Sequence, residues 1–218
     1  MGIAENIEAI KKELGEGVTL VAVSKYSPDE SVQEAYDAGH RDFGENKAQD
    51  VTARQERFPA DVRWHFIGHL QRNKTKYIAP YIHLIHSVDS LKLLKEINKQ
   101  AKKVERVIPV LLQMHIAKEE SKFGLDENEL MELIHSDELA AMGNVRIEGL
   151  MGMATNTEDD AVVRSEFEEL KSIFNRLAEA ETPVNVEMKT LSMGMSNDYQ
   201  IAVECGSTMA RIGSSVFN

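Results

Sequence analysis

One cysteine, Cys205, stands among 218 residues. No disulfide can close within the chain and no zinc ribbon can be built, and a lone thiol suits a reducing compartment. Long apolar runs are also missing, since none approaches the roughly 18 residues that a membrane span needs. The N-terminus, Met1 to Asn6, carries no signal-peptide apolar core, and Asn6 breaks the myristoylation pattern. The expectation is a cytoplasmic chain that touches no membrane. Positive charge is in deficit: 36 acidic against 25 basic side chains leave a formal charge of −11. That argues against the basic face of a nucleic-acid binder. Aromatic residues at 6%, with Trp64 the only tryptophan, supply no stacking platform either. A local basic pocket for one small anion is still compatible.

Common catalytic signatures are absent as well. There is no G-x-G-x-x-G, no P-loop, no H-E-x-x-H and no G-x-S-x-G elbow. Seven histidines are scattered along the chain. His83 and His86, three apart on one predicted strand, face opposite sides of it, so no metal pair is expected there. His65 reads as a core histidine, and no metal site is anticipated.

What is present is alternation. Hydrophobic residues at 42% and charged residues at 28% match an ordinary globular domain. Short β-branched runs predict strands over 19–23, 42–44, 63–67, 83–88, 107–114, 145–153, 184–191 and 209–212. Between them, helical spacing predicts helices over 28–38, 47–57, beyond 71, around 91–97, 127–135, 160–180 and 197–205. An extra helix over 3–14 precedes the first strand. Near-continuous apolar strands alternating with amphipathic helices indicate a parallel sheet covered by helices. Eight such units suggest an α/β fold closed as a (β/α)8 barrel of the TIM type, with an open doubly wound sheet as the competing architecture. No linker or low-complexity stretch divides the chain, so 1–218 reads as a single domain.

Unusual chemistry falls at predicted strand ends, where a parallel barrel builds its active face. Lys25 leaves the first strand. Partial desolvation there would lower its pKa and leave a neutral amine able to attack a carbonyl. The alternative is a solvated lysine at a strand exit. The segment Leu191 to Asp198 follows the seventh strand, and Gly206 to Ser215 brackets the eighth. Small residues let backbone N–H groups approach an anion, and the hydroxyls of Ser196 and Ser214 can donate too. Ser196 can equally be a helix N-cap, and Gly206 and Gly213 simple turn residues. Together, the lysine and the two small-residue loops describe a site for a phosphorylated aldehyde held as a Schiff base.

Seven ordered stretches carry a resemblance. They are Val21-Ala22-Val23-Ser24-Lys25, Phe43-Gly44-Glu45-Asn46, His65 to Lys74, Ser121-Lys122-Phe123-Gly124, Gly149-Leu150-Met151, Leu191 to Ser196 and Gly206 to Gly213. With them the chain resembles the YggS/PROSC family of pyridoxal 5′-phosphate homeostasis proteins, over about residues 20 to 217. The resemblance implies a barrel like the N-terminal domain of bacterial alanine racemase. It implies that Lys25 forms the internal aldimine with pyridoxal phosphate. Ser196, Gly213 and Ser214 would hold the phosphate, Arg211 would lie near the pyridine nitrogen, and Asn46 would line the ring side. Where many relatives have a threonine after Arg-Ile-Gly, this chain has Ser214, which keeps the hydroxyl. Where some relatives carry a second lysine two residues after the first, it has Ser27. Residues 3–14 are expected to close one barrel end, because the final helical cover is short.

On this reading Arg211 beside the pyridine nitrogen opposes its protonation, which weakens the ring as an electron sink. A racemase also needs a second acid/base on the opposite face of the substrate, and none of Tyr26, Tyr36, Tyr77, Tyr81 or Tyr199 has a motif reason to serve. The leading expectation is therefore a binding protein that buffers and delivers pyridoxal phosphate, with apoenzymes as recipients and the chain acting as a monomer. A weak amino-acid racemase is the alternative. A cofactor-free Schiff-base aldolase using Lys25 is a third class, and a nucleic-acid scaffold is disfavoured. Lys122 is a candidate secondary acceptor of the cofactor, whereas His65 and Lys74 belong to a motif without an assignable chemical role.

Overall fold

The computed structural model describes residues 2–119 and 123–218. Its strands are β1 (Thr19–Val23), β2 (Asp42–Glu45), β3 (Arg63–Phe66), β4 (Leu84–Val88), β5 (Ile108–Met114), β6 (Val145–Gly152), β7 (Val186–Ser192) and β8 (Met209–Ile212). Neighbours in sequence are neighbours in space, all parallel, and β8 returns to pair with β1 through Thr19–Met209 to Ala22–Ile212. That last pairing closes the barrel and removes the open-sheet alternative. The helices are α1 (Ile3–Leu14), α2 (Asp29–Asp37), α3 (Ala48–Gln55), α4 (Thr75–Ile78), α5 (Leu91–Lys103), α6 (Glu127–Ile134), α7 (Asp137–Ala140), α8 (Asp160–Glu179), α9 (Tyr199–Glu204) and α10 (Ser214–Phe217).

Local sequence explains the boundaries. Asp159 caps α8 by accepting from Ala161 N–H at 3.0 Å. Val163, Phe167, Leu170, Ile173, Phe174 and Leu177 then recur every three or four residues and are all buried. Each contributes about 2 kcal/mol relative to staying in water. Asp126 and Glu129 form a reciprocal capping box on α6. The single helix expected over 127–135 stops at His135. Ser136 accepts from Leu139 N–H and starts the separate α7. After β3 the expected helix is only the four residues of α4, entered through a 3-10 turn over Arg72–Lys74. Strand β7 begins two residues later than expected, since Val186 N–H closes a turn onto the Pro183 carbonyl.

Helix α1 corrects one expectation. Its start lies beside α10, where Asn6 Nδ2 donates to the Val216 carbonyl at 3.1 Å, and its end leads into the start of β1. It therefore runs antiparallel to the strands, packed against α2, α9 and α10, and covers the flank that the short α10 leaves bare. It does not plug a barrel end.

Two apolar layers result. The larger lies between strands and helices. The smaller fills the barrel with Val21, Leu84, Leu111, Met151 and Met209, one from each of five strands. Strands β6 and β7 approach so closely at Gly149 (φ +145°) that a Cβ there would stand 1.8 Å from the Thr190 carbonyl oxygen. Only glycine fits that contact.

Candidate functional site

Four neighbouring strands bring the anticipated residues together. Closure sets β7, β8, β1 and β2 side by side. Lys25 lies just beyond β1, Asn46 directly after β2, Ser196 in the loop after β7, and Gly213 and Ser214 directly after β8, with Arg211 inside β8. Val21 pairs with Arg211 and Val23 with Gly44, so the exits of β8 and β2 flank that of β1. A Cβ on Gly213 would be 3.1 Å from the Val23 carbonyl oxygen, which places the β8 exit against β1. Gly213 N–H donates to Ser196 Oγ at 3.3 Å and ties the two small-residue loops together. Ser196 is thus a link between loops. Asp198, directly before α9, accepts from Met195 N–H at 2.6 Å.

Lys25 is exposed, so of the two readings of a lysine at a strand exit the solvated one holds. The strand ends at Val23, and a tight turn closed by Ser27 N–H on the Ser24 carbonyl (3.0 Å) lifts Lys25 into the mouth. Tyr26 in that turn has φ 67°, a left-handed conformation that costs a bulky residue about 1–2 kcal/mol. Arg54 of α3 holds the turn from below. Its Nη1 donates to the Ser24 carbonyl at 2.9 Å, its Nη2 to the Ser27 carbonyl, and its Nε to Asp29 Oδ1 at 3.2 Å. Nη1 also pairs with Glu45 Oε1, which accepts from Ser24 Oγ at 2.5 Å. Glu45 is 1% exposed and Arg54 8%. Burial pushes the Glu45 carboxyl up, against the lowering pull of the Ser24 hydroxyl and Arg54. Neither Glu45 nor Arg54 was singled out in the sequence. Glu45 sits inside one of the matching stretches, whereas Arg54 carries no local signal.

Arg211 is buried at the floor of the mouth. Its Nη1 donates to Ser192 Oγ at 2.6 Å and its Nη2 to the Gly152 carbonyl at 3.1 Å, at the last residues of β7 and β6. Burial lowers its pKa to about 10, so it stays a cation at neutral pH. From Ser192 a polar chain descends through the barrel. Ser192 Oγ is 3.0 Å from His86 Nδ1, His86 Nε2 is 2.9 Å from His65 Nδ1, and His65 Nε2 is 3.1 Å from Asp42 Oδ1. His65 is a satisfied core histidine, as its strand position suggested.

Asn46 and Lys74 line a cavity of about 210 Å³ with Lys47, Phe66 and His69. Gly68 presses against Asn46, since a Cβ there would stand 2.2 Å from the Asn46 carbonyl oxygen. Tyr199 donates to Glu13, Tyr36 to Asp61, and Tyr81 meets Thr52. Burial raises the Tyr81 and Tyr199 phenols to about 12. Lys122 lies outside the described residues.

The fold and site define a (β/α)8 barrel whose C-terminal mouth offers one amine, several hydroxyls and backbone N–H groups, and a buried guanidinium. The chain belongs to the family described as the alanine racemase N-terminal domain, whose model matches residues 2–218. Among its relatives, a pyridoxal phosphate homeostasis protein from Pasteurella multocida is 36% identical over 203 residues, 92% of this chain and 85% of that protein. One from Aquifex aeolicus is 36% identical over 219 residues, 99% of this chain and 94% of that protein. The anticipated resemblance therefore holds along the whole chain. PipY from Synechococcus elongatus, solved without PLP, superposes with a TM-score of 0.92 at 32% identity, covering 99% of this chain and 100% of that one. PipY with PLP bound gives 0.89 at 34% identity over the same shares. Alanine racemase from Bartonella henselae shares the fold, with a TM-score of 0.73 at 17% identity over 97% of this chain and 56% of its own.

Proposed function

We propose that this protein binds pyridoxal 5′-phosphate at the C-terminal mouth, holds it as a Schiff base on Lys25, and serves intracellular homeostasis of the cofactor by passing it to apoenzymes. The carrying observation is that Lys25, Ser196, Gly213 and Ser214 follow the neighbouring strands β1, β7 and β8 at the C-terminal mouth, with Arg211 buried within β8. The names of the relatives and the PLP bound to PipY support it.

The residues fit the group. A phosphate monoester brings about −1.5 to −2 of charge, which a chain of net charge −11 must offset locally. The Ser196 and Ser214 hydroxyls and the backbone N–H groups of their loops are the donors for it. Lys25 is reachable from solvent, and the Arg54 clamp fixes the backbone turn that carries it. Pyridoxal phosphate supplies an electrophilic aldehyde and a ring that can accept electrons. Arg211, fixed by Ser192 and Gly152, faces the ring side and opposes protonation of the ring nitrogen. Asn46 completes that side.

Delivery is favoured over turnover by what the mouth offers. Three of the five tyrosines that could act as a second acid/base are already engaged, Tyr36 with Asp61, Tyr81 with Thr52 and Tyr199 with Glu13. We take residues 1–218 as one cofactor-binding domain that acts as a monomer in the cytoplasm. No helix among the described residues is long and apolar enough to cross a membrane.

The test is a titration with pyridoxal phosphate, read as visible absorbance, on the parent and on Lys25→Ala. A saturable band in the parent alone, followed by reactivation of a pyridoxal-phosphate-dependent apoenzyme on mixing, supports the reading. An equal band in Lys25→Ala contradicts the site. Rapid exchange of an amino acid's α-hydrogen in deuterium oxide contradicts the carrier role and favours a racemase.

A further inference from the structure

The N-terminal mouth of the barrel, opposite Lys25, holds a second constellation. The Asp42 carboxylate and the rings of His65 and His83 each offer one ligand atom within 4.8 Å of the others. Asp42 opens β2, His65 lies within β3, and His83 directly precedes β4. We infer that Asp42, His65 and His83 bind a divalent transition-metal ion of the zinc and cobalt class.

Geometry supports this first. His65 Nε2 and Asp42 Oδ1 are 3.1 Å apart. A tetrahedral site with bonds of about 2.0–2.1 Å has ligand-to-ligand edges of about 3.3 Å. Two corners are thus already set, and His83 needs only a ring movement to supply the third. Its ring centroid is 5.3 Å from that of His65. His83 is exposed, and among the described residues neither of its ring nitrogens has a hydrogen-bond partner. Two imidazoles and one carboxylate suit zinc, cobalt or nickel, with a fourth position open to water.

Outer support is also present. His65 Nδ1 is 2.9 Å from His86 Nε2, and His86 Nδ1 is 3.0 Å from Ser192 Oγ. A ligating histidine is typically oriented through its other nitrogen in this way.

Arg63 is the competitor. Its Nε donates to Asp42 Oδ1 at 2.7 Å and its Nη2 to Oδ2 at 2.5 Å. A metal ion must take over one of these oxygens, and the half-exposed Arg63 side chain can turn toward water. Lys11 and Arg41 line the same mouth, and Arg106 acts on His83 from a distance, so nearby positive charge weakens binding. The ion would also order the interior. A metal on His65 Nε2 leaves the ring proton on Nδ1, which then donates to His86, and His86 donates from Nδ1 to Ser192. Without metal, Asp42 accepts from His65 Nε2–H and the donation runs the other way.

The experiment titrates the tag-free full chain with zinc by calorimetry and with cobalt by absorbance, before and after loading with pyridoxal phosphate. The expected result is one ion per chain in both states, with the visible bands of four-coordinate cobalt. His83→Ala weakens binding about tenfold or more, and Arg63→Gln strengthens it severalfold. No binding, unchanged affinity in His83→Ala, or binding seen only with the cofactor loaded would overturn the inference. Because Arg63→Gln moves affinity upward, a folding defect in His83→Ala cannot imitate the pattern. Long-range nitrogen–proton spectra of the histidine rings read the same event, as a change of tautomer at His65 and His86 when zinc is added.

Discussion

Arg54→Met removes the clamp beneath the Lys25 turn while keeping most of the side-chain volume. The change leaves Glu45, 1% exposed, with the Ser24 hydroxyl as its remaining close donor, and strips the Arg54 donors from the carbonyls of Ser27 and of Ser24, which keeps only Ser27 N–H. Breaking a buried pair by deleting one partner costs about 3–5 kcal/mol. Protonation of Glu45 relieves part of that, so the expected loss near neutral pH is about 3 kcal/mol. The sign of the pH dependence follows from the raised carboxyl. A carboxyl with a folded pKa above its unfolded value binds more protons when folded, so its contribution improves as pH falls through that window. Loss of Arg54 raises the folded value further. The deficit relative to the parent should therefore shrink by about 1–2 kcal/mol between about pH 7.5 and 5.5. Urea unfolding at the two pH values measures it, and Glu45→Gln in the same background should recover much of the loss. A deficit below about 1 kcal/mol, or one that is equal at both pH values, refutes the clamp.

Three more outcomes are expected. Gly149→Ala forces a Cβ against the Thr190 carbonyl at a φ of +145°, so it should cost more than about 4 kcal/mol or yield insoluble protein, read by thermal melts. His40 is buried and its imidazole is lowered to about 4 by burial and by Lys11, so the unfolded chain binds the extra proton. Stability is then complete above the unfolded value of about 6.5 and falls by up to about 3 kcal/mol toward pH 4; His40→Gln should flatten that slope in urea melts. Ser196→Ala removes the acceptor of Gly213 N–H and a phosphate donor, and should weaken pyridoxal phosphate binding about tenfold in an absorbance titration with little change in Tm.

The sequence carried the barrel because each strand is a short apolar run bounded by turn residues, and each long helix shows its buried face at helical spacing. It blurred where the chain departs from those periods. Helix α4 is a single turn, too short to show a face, and the break between α6 and α7 rests on one serine, Ser136. The residues ringing the mouth were legible because each follows a strand. The Arg54 clamp was not, because its partners lie nine to thirty residues away and meet only when α3 folds onto the ends of β1 and β2. For Lys25 the strand exit left solvated and desolvated readings open, and the Ser24–Ser27 turn decides for the solvated one by lifting it clear. The interior chain from Arg211 to Asp42 and the placement of His83 beside His65 were hidden for another reason. Polar residues on β2, β3, β4, β7 and β8 look unrelated until closure turns them to one axis.

The central claim is that Lys25 is the residue that takes the cofactor. Borohydride reduction of the protein loaded with pyridoxal phosphate, followed by mass mapping of the modified peptide, addresses it directly. One stoichiometric adduct on the peptide containing Lys25 is the predicted result. Adducts scattered over surface lysines, with Lys25 unmodified, would contradict it.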